Sequence, residues 1–110
     1  MSEKPTPIPD PERSEGEGPV ASKEVGPVLE NSPQAQCVIK ALHADNKGLT
    51  ILDRGAYLRV KMAERCVLKR ATVEKICGFQ FRLPSDLEKL MPSFKGRLTM
   101  DEEQAVWTWE

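Results

Sequence analysis

The sequence predicts an α+β fold, a compact single domain of two strand-helix-hairpin halves with mostly antiparallel strands, preceded by a disordered N-terminal tail. Three observations lead there. Apolar residues alternate with polar ones in several short runs separated by turn residues, which is the pattern of antiparallel strands. Helical spacing is confined to a few short segments that interrupt those runs. The length, 110 residues, leaves room for one modest domain, and the front of the chain is unlike the rest in composition.

That front segment carries Pro5, Pro7, Pro9, Pro11 and Pro19 together with Glu3, Asp10, Glu12, Glu15 and Glu17, and almost nothing apolar. It cannot bury enough surface to offset the entropy of ordering, so residues 1–22 read as a tail and residues 23–110 as the folded domain. Val25-Gly26-Pro27-Val28-Leu29 reads as the opening strand, its Pro27 suited to a sheet edge or a bend because it has no N–H for a central ladder. Ser32-Pro33 then starts a helix, with Ser as N-cap and Pro in the first turn. Ala35, Val38, Ile39 and Leu42 form its buried face, and Asn46-Lys47-Gly48 stops it, Gly48 being suited to a left-handed cap.

Three strands come next at Leu49–Asp53, Tyr57–Met62 and Cys66–Lys69, with turns at Arg54-Gly55 and Ala63-Glu64. In the second, Leu58, Val60 and Met62 share one side. Thr72 to Cys77 is a short helix with Val73 and Ile76 facing inward and Gly78 just past its end. Phe79-Gln80-Phe81-Arg82-Leu83 follows, and Pro84-Ser85-Asp86 opens another short helix with Leu87, Leu90 and Met91 that Pro92 ends. Arg97–Met100 and Gln104–Trp109 close the chain as a hairpin around Asp101-Glu102-Glu103, with Ala105, Trp107 and Trp109 on one face.

Function is narrowed mostly by exclusion. No run approaches the roughly 18 to 20 apolar residues of a bilayer span, and the first residues lack the basic start and apolar stretch of a secretion signal, so a cytoplasmic protein is expected. Cys37, Cys66 and Cys77 are odd in number and far apart, with no CxxC, and His43 is the single histidine. A disulfide framework or a zinc cluster is therefore not expected, and the cysteines read as buried or half-buried thiols. No phosphate-cradling glycine motif and no nucleophile-base pair is present, and the Asp101–Glu103 acids read as a solvated turn. The stretch from Arg54 to Lys75 is net positive, with Arg54, Arg59, Lys61, Arg65, Lys69, Arg70 and Lys75 against Glu64 and Glu74. It could serve a small nucleic-acid or protein binding module, but Tyr57 is its one aromatic, too few for a stacking platform. An interaction or regulatory protein fits best.

Several of these segments, taken in order, match a known pattern. Val25-Gly26-Pro27, the amphipathic helix, Asp53-Arg54-Gly55-Ala56-Tyr57-Leu58-Arg59-Val60, the small helix ending at Gly78 with Phe81 after it, Ser93-Phe94-Lys95-Gly96 and the Asp101-Glu102 hairpin succeed one another. Over residues 23–109 this order resembles the effector, or coupling, proteins of bacterial multicomponent diiron monooxygenases, closer to the toluene, alkene and isoprene branch than to the soluble methane branch. The resemblance implies a cofactor-free subunit that binds the hydroxylase over its diiron centre, improves oxygen activation, coupling and regioselectivity, and competes or alternates there with the ferredoxin or reductase. A monomer is expected when free. It also implies a hydroxylase-facing segment between the last helix and the final hairpin, here Leu90, Met91, Ser93 and Phe94, with Asn46, Lys47, Arg54 and Tyr57 as secondary contacts.

Overall fold

The computed structural model describes residues 23–109, so the expected tail lies outside the described residues. β1 (Glu24–Glu30) is a central strand, which corrects the edge or bend inferred from Pro27. It lies between β3 (Tyr57–Ala63) and β5 (Ser93–Lys95) in a four-stranded sheet of order β2-β3-β1-β5, where β2 is Thr50–Asp53. The ladder to β3 pairs Val25 with Met62, passes over Gly26 and Pro27, and resumes with Val28 opposite Arg59. A proline is tolerated mid-sheet because no bond to β3 is asked of it there. Gly26, at φ 145°, approaches Val60 so closely that a Cβ would sit 2.5 Å from the Val60 carbonyl oxygen.

α1 (Pro33–Asp45) begins as the sequence indicates, with the Ser32 hydroxyl accepting from the Ala35 N–H at 3.0 Å. Ala35, Val38, Ala41 and Leu42 are buried and Ile39 is partly so. The helix stops where the sequence indicates, but its cap is not Gly48. Asn46 is the cap, donating its backbone N–H to Leu42, whereas Gly48, although at φ 82°, lies two residues further on.

The second sheet has order β4-β7-β6, from β4 (Arg65–Lys69), β7 (Gln104–Thr108) and β6 (Arg97–Met100). Between β4 and β6 come α2 (Arg70–Cys77), α3 (Ser85–Leu90) and β5. The two halves repeat one topology: in each, a strand leads to a helix and then a hairpin, and the first strand pairs with the hairpin's last. One apolar core draws on both, including Val25 and Leu29, Val38 and Leu42, Leu58, Leu68, Val73, Leu87 and Trp107.

Other expectations are corrected. Ile76 points outward and is 41% exposed; the face that α2 buries carries Val73 and, one turn on, half-buried Cys77. The segment 79–83, given no element type from the sequence, is irregular with Phe81 and Leu83 buried. Trp109 lies past the end of β7 and is 45% exposed, not on the buried face with Ala105 and Trp107. Cys37 and Cys77 are joined as a disulfide with Cα atoms 5.9 Å apart. Their separation of 40 residues hid the pair; α1 and α2 pack side by side and close it. Cys66 alone keeps the expected state of a buried thiol. Glu64, between β3 and β4 at φ 66°, donates its N–H to Lys23 and accepts from the Trp109 N–H. No helix among the described residues is long and apolar enough to cross a membrane.

Candidate interaction surface

The two faces of the four-stranded sheet differ because side chains alternate along every strand. One row across the sheet, Ile51, Val60, Pro27 and Phe94, is set by the register and points to the core, with Phe94 emerging at the edge. The neighbouring row, Leu52, Arg59, Val28 and Ser93, points the other way. Its side chains are half-buried or exposed. Tyr57, 45% exposed, extends the same face at β3, and Lys95 extends it on β5. The result is an open strip of mixed apolar and cationic groups on a pleated, rigid support. Lys61 on that face is engaged by Glu24 at 3.2 Å.

The turn below Tyr57 is tightly fixed. The Asp53 carboxylate accepts from the Gly55 N–H at 2.8 Å, and the Arg54 N–H donates to the Tyr57 carbonyl at 2.8 Å. Asn31 latches this turn to the start of α1: its N–H donates to Ala56, its side-chain amide donates to Gly55, and its side-chain oxygen accepts from Gln36. At the other edge of the sheet, Phe94 and Trp109 line a shallow depression of about 520 Å³ with Gly96, Arg97 and Leu98.

Of the eight residues singled out by sequence, Tyr57 and Ser93 share the open face, Arg54 sits in the turn beside it and Phe94 lies at its rim. The others lie elsewhere. Asn46 is bound against β4: its side chain donates to Leu42 and Val67 and accepts from the Val67 N–H at 2.9 Å, with exposed Lys47 next to it. Met91 is 8% exposed within the core and Leu90 packs partly against it. Sequence reading missed Val28, Leu52, Arg59 and Lys95, whose common face emerges only from the register, and Trp109, which it grouped on one face with Ala105 and Trp107.

The basic stretch from Arg54 to Lys75 does not gather into one patch. Arg59 and Lys61 lie on one sheet and Arg65 and Lys69 on the other. Arg70 meets Glu74 and Glu103, each at 3.0 Å, and donates to the Glu102 carbonyl. Asp101, the first of the three acids, accepts from the Glu103 and Gln104 N–H groups and so builds the turn. Among the described residues no group of three or more His, Cys, Asp or Glu side chains is placed to hold a metal ion.

Known proteins share both the sequence and this architecture. Over 88 residues the chain is 36% identical to the effector subunit of the alkene monooxygenase system of Xanthobacter autotrophicus (strain ATCC BAA-1158 / Py2), covering 78% of this chain and 86% of that protein. A chain in the structure of a phenol hydroxylase-regulatory protein complex superposes with a TM-score of 0.71 at 18% identity, covering 79% of this chain and 98% of its own length. The soluble methane monooxygenase regulatory protein B superposes with a TM-score of 0.63 at 20% identity, covering 80% of this chain and 66% of its own length. The last two show the fold alone, and the first brings effector character to the sequence. Residues 23–108 match the MmoB/DmpM family, and the chain belongs to that family as a regulatory component of a monooxygenase system and not as its catalyst.

Proposed function

We propose that this chain is the cofactor-free effector of a multicomponent diiron monooxygenase and tunes oxygen activation, coupling and regioselectivity in the oxidation of an aromatic or alkene hydrocarbon by docking on the hydroxylase component. The observation that carries this reading is the 36% identity, sustained over 88 residues, to an alkene monooxygenase effector subunit. The docking face is the open side of the four-stranded sheet with the β5 rim. Tyr57, Arg54, Ser93 and Phe94 form its contact set, joined by Val28, Leu52 and Arg59. Leu90 and Met91 direct the chain into β5, Asn46 holds the end of α1 to β4, and Lys47 is a peripheral charge.

The physics of such a role is differential binding. A small protein shifts a larger partner between states only by the difference in its affinity for them, so a surface that does not itself deform transmits that difference best. A sheet face with a latched turn meets the requirement. The protein acts as a monomer in the cytoplasm and alternates on the hydroxylase with the electron-donating ferredoxin or reductase.

The test is reconstitution. Added at equimolar ratio to the purified hydroxylase, reductase and ferredoxin, the chain raises the rate of product formation and the fraction of electrons that reach product. Unchanged coupling and unchanged product distribution would overturn the reading. Phe94→Ala and Tyr57→Ala each weaken hydroxylase binding by roughly tenfold, the loss expected of an exposed aromatic that packs against a partner.

A further inference from the structure

α2 is short, eight residues, and isolated helices of that length do not hold themselves together. Its attachment to α1 is made at two ends. At its N-terminal end the Asp45 carboxylate, on the last turn of α1, accepts from the Lys69 N–H and from the Thr72 hydroxyl, both at 2.9 Å. At its C-terminal end the tie is covalent, from Cys77 to Cys37. Between the two ends Val73 is the one fully buried side chain of α2, and Ile76 is turned out. The residue one helical turn after Val73, where a second apolar anchor would be placed, is Cys77.

The covalent end also governs the chain immediately beyond it. Gly78 leaves α2 in the left-handed region, and the irregular segment 79–83 runs on to α3. Gln80 and Phe81 from this segment line two depressions, one of about 290 Å³ with Arg70, Glu74 and Arg82, the other of about 150 Å³ with Gln34, Asp86 and Leu90. Opening the bond leaves the Asp45 end, the Glu74 carboxylate, which accepts from the Phe81 N–H at 2.9 Å, and the buried Phe81 and Leu83 side chains to hold the segment.

We propose that Cys37 and Cys77 form a reversible thiol-disulfide site, closed by a peroxide and opened by a dithiol reductant, whose state sets how firmly the end of α2 and segment 78–83 are held against α1. Closure proceeds in two steps. One thiol gives up its proton and its thiolate attacks hydrogen peroxide, the O–O bond breaks, one oxygen stays as the sulfenic acid and the other leaves with that proton as water; the second thiol then displaces the hydroxyl as another water, and the S–S bond forms. The two sulfurs lose two electrons and the peroxide gains them. Opening is thiol-disulfide exchange, in which the dithiol leaves as its own cyclic disulfide. Both cysteines are half-buried, within reach of a small oxidant. Cys66 stays out of the exchange because it is fully buried on β4, and that burial, with Asp45 nearby, pushes its thiol up to about 12.

This site does not depend on the proposed docking function, and its test needs no hydroxylase. The full chain is reduced with dithiothreitol, freed of reductant, and treated with hydrogen peroxide. Denatured, the reduced chain titrates three thiols and the oxidised chain one, and peptide mapping finds Cys37 joined to Cys77 within one molecule. Amide hydrogen exchange of residues 74–83 is roughly tenfold faster in the reduced chain, while β1 and β3 exchange alike in both. A Cys37→Ser/Cys77→Ser variant exchanges like the reduced chain whether or not peroxide is added, and Cys66→Ala responds to peroxide as the parent does. Three thiols surviving peroxide, a bond between molecules, or equal exchange of residues 74–83 in the two states would overturn the proposal.

Discussion

The first half, β1 through β3, and the second, β4 through β7, share one topology but connect their elements differently. In the first, α1 passes to its hairpin through the short loop 46–49. In the second, α2 is followed by the irregular segment 78–83, α3 and β5 before its hairpin begins. That added piece does not stay with its own half: β5 pairs with β1, setting Lys95, Phe94 and Ser93 opposite Gly26, Pro27 and Val28. The regular half thus supplies a stiff sheet, and the elaborated half reaches across to complete its rim. Duplicate topology provides the scaffold, and the departure from it provides the strand that completes the sheet's edge.

If the halves truly share one core, damage to either must unfold both. Trp107→Ala in the second half and Leu29→Ala in the first, both fully buried, are each expected to cost about 3 to 5 kcal/mol, read as a lowered midpoint in one cooperative urea transition. Two separate transitions would break the comparison. Trp107→Phe costs less, because the indole N–H has no hydrogen-bond partner among the described residues to lose.

The disulfide joins the corresponding helices of the two halves, and its reduction is the next largest effect. A closed span of 40 residues restricts the unfolded chain by about 3 to 4 kcal/mol on the chain-entropy account, to be seen as a lower urea midpoint in the presence of reductant. Asn46→Ala, which removes two side-chain hydrogen bonds to Val67 on β4 and a third to Leu42 within α1, is expected to cost about 1 to 3 kcal/mol.

Alkaline pH sharpens the same contrast at Cys66. Its pKa is raised by folding, from 9.0 to about 12, so the unfolded chain loses this proton first. The contribution is fully present below pH 9 and is lost as pH rises toward 12. Urea midpoints measured across that window fall more steeply for the parent than for Cys66→Ala. The smallest stability effects belong to the open face, where Tyr57→Ala and Phe94→Ala change stability by about 0.5 kcal/mol, read from the same urea midpoints, while carrying the binding loss described above.

Local signals were enough for much of the fold. Ser32-Pro33, the alternation through Leu58 and Val60, and Gly78 each act within one turn or one strand, so neighbouring residues determine them. Pro27, Ile76 and the cysteine pair misled for the opposite reason. Whether a proline may occupy a central strand depends on which bonds a distant strand asks of it, and Cys37 meets Cys77 only once two helices lie side by side. The candidate surface was legible in part. Tyr57, Ser93 and Phe94 stand where a partner can reach them, but the row of Leu52, Arg59, Val28 and Ser93 needs two sequence-distant pairings, of Val28 with Arg59 and with Ser93, besides the local hairpin. Met91 shows the limit of composition: an apolar residue after a short helix fits a contact or a core equally well until its neighbours are known.

Glu64 holds a last consequence. Its backbone binds Lys23 on one side and Trp109 on the other, so the beginning and the end of the described chain stand beside the same residue. A short linker could therefore fuse those ends, and a fresh break could be opened at the exposed Lys47-Gly48 turn, giving a permuted molecule with every strand neighbour retained.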